Sequence, residues 1–218
     1  MQLLSVNIAL PQDVPWQGKT VRTSMFKQPV AGPVAVLAEY LAGDGQADLR
    51  VHGGPDKAVY AYPQEHWDYW RQLLPPAQLV PAAFGENLTT RGLLETEVRV
   101  GDCFQFGTAV LMAVQPRQPC FKLGIRLARP GIVREFELAR RSGIYFRVQQ
   151  PGTLQVGDAI TLVQASPYPV TIQDMVDCLA PGPHDLDKVR ALLATPYLSS
   201  SWKQRLNALL ASPATLDQ

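Results

Sequence analysis

The sequence predicts a mainly β fold with some α, a barrel or a sandwich with a few helices, followed by a short helical tail. Three observations carry that prediction. Short apolar, β-branched runs recur through the first two thirds of the chain, punctuated by Gly and Pro. The 19 prolines and 16 glycines argue against a long-helix bundle, because both residues interrupt helix interiors. Over roughly the last fifty residues the strand pattern gives way to helix-capping residues and helical spacing.

The elements follow in order. Residues 3–9 form an apolar run that Pro11 ends, and 33–38 and 58–62 are similar short strands. Residues 98–106 alternate, Gly107-Thr108 turns the chain, and 109–114 returns, which predicts a hairpin. Residues 145–149 and 159–163 continue the strands, with Gly152 and Gly157-Asp158 as turns. Two helices interrupt them. Residues 64–74 follow Pro63 and place Trp67, Trp70 and Leu74 on one face before Pro75-Pro76. Residues 132–141 set Val133 and Phe136 at helical spacing before Gly143.

Ser166-Pro-Tyr-Pro169 reads as a linker, which divides the chain into 1–165 and 166–218. In the tail, Thr171-Ile-Gln-Asp174 has the form of a capping box with Asp where Glu or Gln is usual. Asp185 is expected to cap a second helix running to Leu193. Ser199–Ser201 would cap a third, carrying Trp202, Leu206, Leu209 and Leu210. Helices this short are marginal alone and must pack on one another or on the main domain.

Composition excludes several classes. With 46% hydrophobic and 18% charged residues, the chain has ample material for a core, which excludes wholesale disorder. Its net charge of +1 gives no global support for a nucleic-acid or membrane-surface partner. That total hides an asymmetry. Between Gln115 and Gln150 there are eight Arg/Lys (117, 122, 126, 129, 134, 140, 141, 147) against Glu135 and Glu137, a local +6 that leaves −5 elsewhere. If those cations converge they suit a phosphate or another small anion. The alternative is a solvated helix face, which would claim Arg134, Arg140 and Arg141.

Cys103, Cys120 and Cys178 form neither a disulfide framework nor a metal-ligand spacing. The N-terminal residues lack a basic region and a small-residue cleavage site, and no apolar run is long enough for a spanning helix. A cytoplasmic protein is therefore expected.

The most informative stretch is Gln115-Pro-Arg-Gln-Pro-Cys-Phe-Lys122. Two prolines restrict the backbone and pre-order Arg117, Cys120 and Lys122. Neighbouring cations favour an anionic sulfur, which serves as nucleophile, metal ligand or sulfur carrier. The alternative is a buried cysteine acting as a small apolar residue. In Val51-His-Gly-Gly-Pro-Asp-Lys57, Gly53 and Gly54 permit left-handed backbone and close ligand approach. His52 there either meets a ligand, moves a proton, orients Cys120, or makes one structural hydrogen bond. Glu86 and Asn87 of Gly85-Glu-Asn-Leu88 either face a pocket or pin a loop. Arg147 is expected to point into a barrel mouth.

Taken together, VHGGPDKAVYAY, GENLTT, VGDCFQF, VQPRQPCFKL, GIYFRV and VGDAI stand in the order seen in MOSC domains, and Gly43-Asp-Gly-Gln-Ala-Asp48 precedes them. The chain resembles that family, which is related to the C-terminal domain of molybdenum-cofactor sulfurase. The linker and three helices resemble the 3-alpha domain of its YiiM-type members. The resemblance implies a MOSC β-barrel with a small three-helix C-terminal domain. It also implies an anion-binding pocket for molybdenum cofactor (molybdopterin), with Arg117, Lys122, Arg147, Gly53, Gly54, Glu86 and Asn87 as the binding residues. Cys120 would be the metal's thiolate ligand, and Cys120, His52 and Arg117 the catalytic set. Phe121 stands where Trp is common.

The implied activity is reduction of small N-hydroxylated substrates, such as the base 6-hydroxylaminopurine, in a detoxifying role. The chain carries no flavin, NAD or iron–sulfur motif, so electrons must come from a donor protein. The alternatives are sulfur transfer through a Cys120 persulfide, or a non-catalytic cofactor carrier. Pyridoxal phosphate enters only by family-level association, since no lysine sits in a motif for it. A homodimer is compatible with the sequence. No nucleic-acid or membrane partner is expected.

Overall fold

The computed structural model describes residues 1–48 and 53–211. Twelve strands lie among them. They are β1 (Gln2–Ile8), β2 (Gln12–Trp16), β3 (Lys19–Thr23), β4 (Gln28–Pro29), β5 (Val34–Val36) and β6 (Val59–Pro63), then β7 (Leu88–Arg91), β8 (Cys103–Phe106), β9 (Ala109–Pro116), β10 (Ile144–Gln150), β11 (Gly152–Leu154) and β12 (Ile160–Gln164). Eight of them form one sheet in the order β12-β8-β9-β10-β6-β7-β1-β4. Every neighbouring pair is antiparallel except β6–β7.

The expected closed barrel is corrected to an open, curled sheet. β1 stands far from β12 in the strand order, yet Gln2 bridges Ala159 just ahead of β12. Leu3 N donates to Asp158 O at 3.0 Å, and Ile160 N donates to Met1 O at 3.0 Å. The sheet therefore curls until the start of β1 touches the β12 edge at that isolated bridge, without a continuous closing ladder among the described residues. The curl encloses Leu3, Val6, Leu88, Leu111, Phe104, Phe106 and Phe146 as a buried core. Inward residues of facing strands then meet across it.

The chain is mixed α/β, with six α-helices among the described residues. The expected helix over 64–74 is shorter: a 3₁₀ turn Gln64–His66 leads into a four-residue helix, Trp67–Trp70. Its aromatic face is nevertheless buried. Trp70, Tyr62, Phe84 and Phe136 form a second core, with Trp70 and Phe136 rings 5.7 Å apart. The second helix, Ile132–Ala139, ends where Arg140 turns left-handed.

The three tail helices are Ile172–Asp177, Leu186–Leu193 and Ser200–Ala211. Both features of the capping box over Thr171–Asp174 are present: Asp174 N donates to Thr171 Oγ1 at 3.1 Å, and Thr171 N donates to Asp174 Oδ2 at 2.8 Å. Asp185 caps the next helix by accepting from Asp187 N and Lys188 N. These helices share a core with the sheet: Ile172, Met175, Val189, Leu192, Trp202 and Leu206 pack in the same cluster as Leu3 and Phe104. Gly101 lets the tail approach closely. With φ at +97°, a Cβ there would stand 2.2 Å from the Tyr197 ring.

Burial alone would raise the Asp174 carboxyl, but hydrogen bonds from Lys188 and Thr171 outweigh it and hold it below the ordinary aspartate value. A depressed folded value means the ionised cap contributes stability above the unfolded-state pKa, and loses it as pH falls through the folded one. Thr171→Ala is expected to cost about 1 kcal/mol in denaturant unfolding near neutral pH. Asp174→Asn is expected to flatten the acid limb of the stability profile.

Candidate functional site

Strand β9 ends at Pro116, which has no N–H to continue the ladder, and the chain leaves the sheet toward Cys120. Arg117 holds this departing segment. It is 5% exposed, and its guanidinium donates to Phe84 O. It also lies over the Tyr60 ring (5.1 Å) and the Phe136 ring (5.6 Å). Cation–π contact is strongest where the cation is desolvated, as here. Cys120 follows in extended conformation and precedes the helix Phe121–Arg126.

Two clefts meet at Cys120. The first is lined by residues 23–25, Lys27, Asp44, Lys57, Tyr60, Asn87, Arg117, Gln118, Cys120, Lys122 and Tyr145. Among the described residues Lys27, Lys57, Arg117 and Lys122 stand there against one carboxylate, Asp44, so the lining favours an anion. The second lies between the 115–119 segment and the last helix, lined by Ser201, Trp202 and Arg205. Lys57, Gln118, Cys120 and Tyr145 border both.

A buried polar network forms the floor of the first cleft. Lys27 donates to Asp44 Oδ1, which also accepts from Ala9 N at 2.9 Å. Asn87 donates to Asp44 Oδ2 at 2.8 Å, and its Oδ1 accepts from Tyr60 N at 3.1 Å. Asn87 thus extends the β6–β7 pairing by one side chain. Burial lowers the Lys27 ammonium and the facing Asp44 only partly offsets it. Burial also pushes the Tyr60 and Tyr145 phenols well up, against the pull of Arg117, so both remain neutral hydrogen-bonding groups. Tyr60 gives its hydroxyl proton to Ser142 O at 2.7 Å. Gly143 makes this fit possible: with φ at +69°, a Cβ there would stand 2.6 Å from Ala61 O and 2.7 Å from the Tyr60 ring.

The structure sorts the residues expected from sequence. Cys120, Arg117, Lys122 and Asn87 line the first cleft. Glu86 does not. It is fully buried and accepts from Ala82 N (2.8 Å), Phe84 N (3.0 Å) and Thr89 Oγ1 (3.0 Å), so it pins the loop that supplies the Phe84 carbonyl to Arg117. Arg147 does not line the cleft mouth either. Its Nε donates to Asp56 Oδ1 at 2.8 Å, with a second guanidinium N–H on the same oxygen. It therefore holds the 3₁₀ turn Pro55–Lys57, which presents Lys57 to both clefts. Gly53 and Gly54 precede that turn and line neither cleft. Gly54 takes the left-handed φ, +90°, that the pair was expected to permit. His52 lies outside the described residues.

Sequence reasoning missed Lys27, Asp44, Lys57, Tyr60 and Tyr145. Lys57 and Tyr60 stood in the singled-out motif, and Asp44 in the quoted GDGQAD run. Lys27 carried no local signal, because its partner is distant in sequence.

Cys103 and Cys178 differ from Cys120. Both are buried, and burial pushes the Cys178 thiol up to about 11. Cys120 is half-buried at the cleft junction. Among the described residues no group of His, Cys, Asp and Glu has the form of a metal site. A metal bound here would need most of its ligands from a cofactor.

The chain matches the MOSC domain family over residues 48–161, and it belongs to that family. Its relatives are of the YiiM type. It is 37% identical over 201 residues to the uncharacterized protein YflK of Bacillus subtilis, covering 92% of this chain and 90% of YflK. It is 36% identical over 186 residues to YiiM of Escherichia coli, covering 84% and 83% of the two. The crystal structure of YiiM from Geobacillus stearothermophilus superposes with a TM-score of 0.77 at 31% identity, covering 96% of this chain and 98% of that one. A protein named Reductase from Gibberella moniliformis is 36% identical over 155 residues, which are 70% of this chain and 27% of that protein.

Limited alkylation near pH 8 is expected to label Cys120 first, with Cys103 and Cys178 labelled only on unfolding; peptide mass spectrometry reads the order. Replacing Lys27 with Met strands Asp44 without its buried cation, and is expected to cost on the order of 3 kcal/mol in denaturant unfolding.

Proposed function

We propose that this protein is an oxidoreductase that uses molybdenum cofactor to reduce N-hydroxylated compounds to amines, with Cys120 at the metal. The observation that carries this reading is the first cleft: four cations against one carboxylate, with a half-buried thiol at the edge. An anionic, phosphate-bearing pterin with its own sulfur ligands fits that lining. Lys57 and Lys122 would hold its charges above the floor that Lys27 and Asp44 form, and Cys120 would supply one soft ligand. When bound, the cofactor supplies a two-electron couple. The similarity to a protein named Reductase supports an oxidoreductase over a passive carrier.

The chain's residues have separable tasks in this scheme. Arg117 is spent on the Phe84 carbonyl and two aromatic rings, so it positions Cys120 and adds positive field to the cleft. The net reaction takes R–NH–OH, two protons and two electrons to R–NH2 and water. The N–O bond breaks, and a donor protein supplies the electrons. Lys57 borders both clefts beside Cys120, and burial lowers its ammonium below the ordinary lysine value. That suits Nζ to give a proton to the departing hydroxyl.

Cofactor-loaded protein with a reduced donor is expected to convert 6-hydroxylaminopurine to adenine, and Cys120→Ser to fall to background. Equal rates for the two proteins would remove the thiol from the chemistry. The rate is expected to decline at alkaline pH with a midpoint below the lysine value of about 10.4. Lys57→Arg is expected to move that midpoint upward.

A further inference from the structure

The second cleft joins the cation-rich one at Cys120 but has a different character away from that junction. Its walls are Gln115, Pro116, Gln118 and Pro119 on the sheet side, and Ser201, Trp202 and Arg205 on the last helix. No carboxylate lines it among the described residues. Its far wall is fixed. Trp202 is 3% exposed, and its Nε1 donates to Gln115 Oε1 at 2.7 Å. Gln115 Nε2 donates in turn to Asp56 O at 2.9 Å, on the turn that Arg147 holds. The helix is thus tied by a buried hydrogen-bond chain to the turn that presents Lys57.

Arg205 is carried on this fixed helix, one turn beyond Trp202. It borders the second cleft but not the first. On its other side it borders a smaller hollow lined by Glu137, Arg117 and Arg140, one acid and two further cations. It is exposed, so an incoming ligand can reach its guanidinium. The reacting end of the cleft, at Cys120, Lys57 and Tyr145, is shared with the first cleft.

We propose that the second cleft is the substrate site and that Arg205 reads a phosphate carried on the substrate away from its N–O bond. The preferred substrates are then N-hydroxylated compounds that carry a phosphate, such as a nucleotide, rather than their unphosphorylated forms. This rests on the reductase reading above. A guanidinium matches phosphate geometry with paired N–H donors, and a cleft without acids adds no repulsion. The Ser201 hydroxyl, now bonded to Ser199 Oγ at 3.0 Å, is a second donor on the same helix.

The test measures binding by calorimetry on the full chain, cofactor-free, with N-hydroxyadenosine, its 5′-monophosphate and inorganic phosphate. The monophosphate is expected to bind about tenfold tighter than the nucleoside, a difference of about 1.4 kcal/mol. Arg205→Gln is expected to erase that gap without altering nucleoside affinity, and Arg205→Lys to restore part of it. Because Arg205 is exposed, the variants are expected to keep the wild-type melting temperature. Equal affinities for nucleoside and monophosphate would overturn the inference. So would inorganic phosphate binding as tightly as the nucleotide, or a lower molybdenum content in Arg205→Gln than in wild type when both are purified from a molybdate-fed host, which would assign the residue to the cofactor. Turnover assays separate the two claims. Reduction of base and nucleotide at equal efficiency sinks the phosphate site alone, while a binding preference with no reduction of either sinks the reductase reading and leaves an anion site.

Discussion

The site depends on where the Arg117 guanidinium is placed. A buried cation needs compensation, and Arg117 finds it in one backbone carbonyl and two aromatic faces rather than in a carboxylate. That choice matters electrostatically. A carboxylate partner would cancel the charge, whereas rings and a carbonyl leave its field directed into the cleft. The supporting pieces follow from this requirement. Glu86 fixes the loop that offers the Phe84 carbonyl, the second core supplies Phe136, and β6 supplies Tyr60. With Arg117 held, the short segment to Cys120 has little freedom, and the thiol falls where two clefts join.

The same economy appears at the floor and rim. Lys27, Asp44 and Asn87 link residues from three separate stretches of chain into one buried network. Such networks are costly when broken, because each remaining group is left desolvated. At the rim, Arg147 and Gln115 both act on the Asp56 turn, from neighbouring strands β10 and β9. The last helix joins through Trp202. The tail is therefore part of the site's scaffold as well as of the core.

Much of this was legible in the sequence where the signal was local. The capping box at Thr171–Asp174, the cap at Asp185 and the hairpin around Gly107 were visible because neighbours in sequence make them. The aromatic face of the Trp67–Trp70 helix was visible too, though its length was overestimated, since 3₁₀ and α turns share similar spacing. Closure of the sheet was not legible. Alternation tells a strand from a helix but not whether two distant edges pair. For the candidate site, the sequence pointed to the Cys120 neighbourhood, where two clefts meet, whereas Arg147 and Glu86 line neither and act as supports. A charged residue in a motif signals a constraint, and only its partner reveals whether that constraint is a ligand or a loop. Lys27 and Asp44 were missed because an ion pair across separate loops leaves no periodicity. The net charge of +1 concealed the cation-rich cleft for a related reason: it averages over surfaces that never meet.

The central claim is that this cleft and Cys120 are built for molybdenum cofactor. Metal and pterin analysis of the protein purified from a molybdate-fed host tests it most directly. About one molybdenum and one pterin per chain, both reduced in Cys120→Ser and in the charge-removing variant Lys122→Gln, is the result expected. Metal-free and pterin-free protein from a host whose other molybdenum enzymes are fully loaded would contradict it.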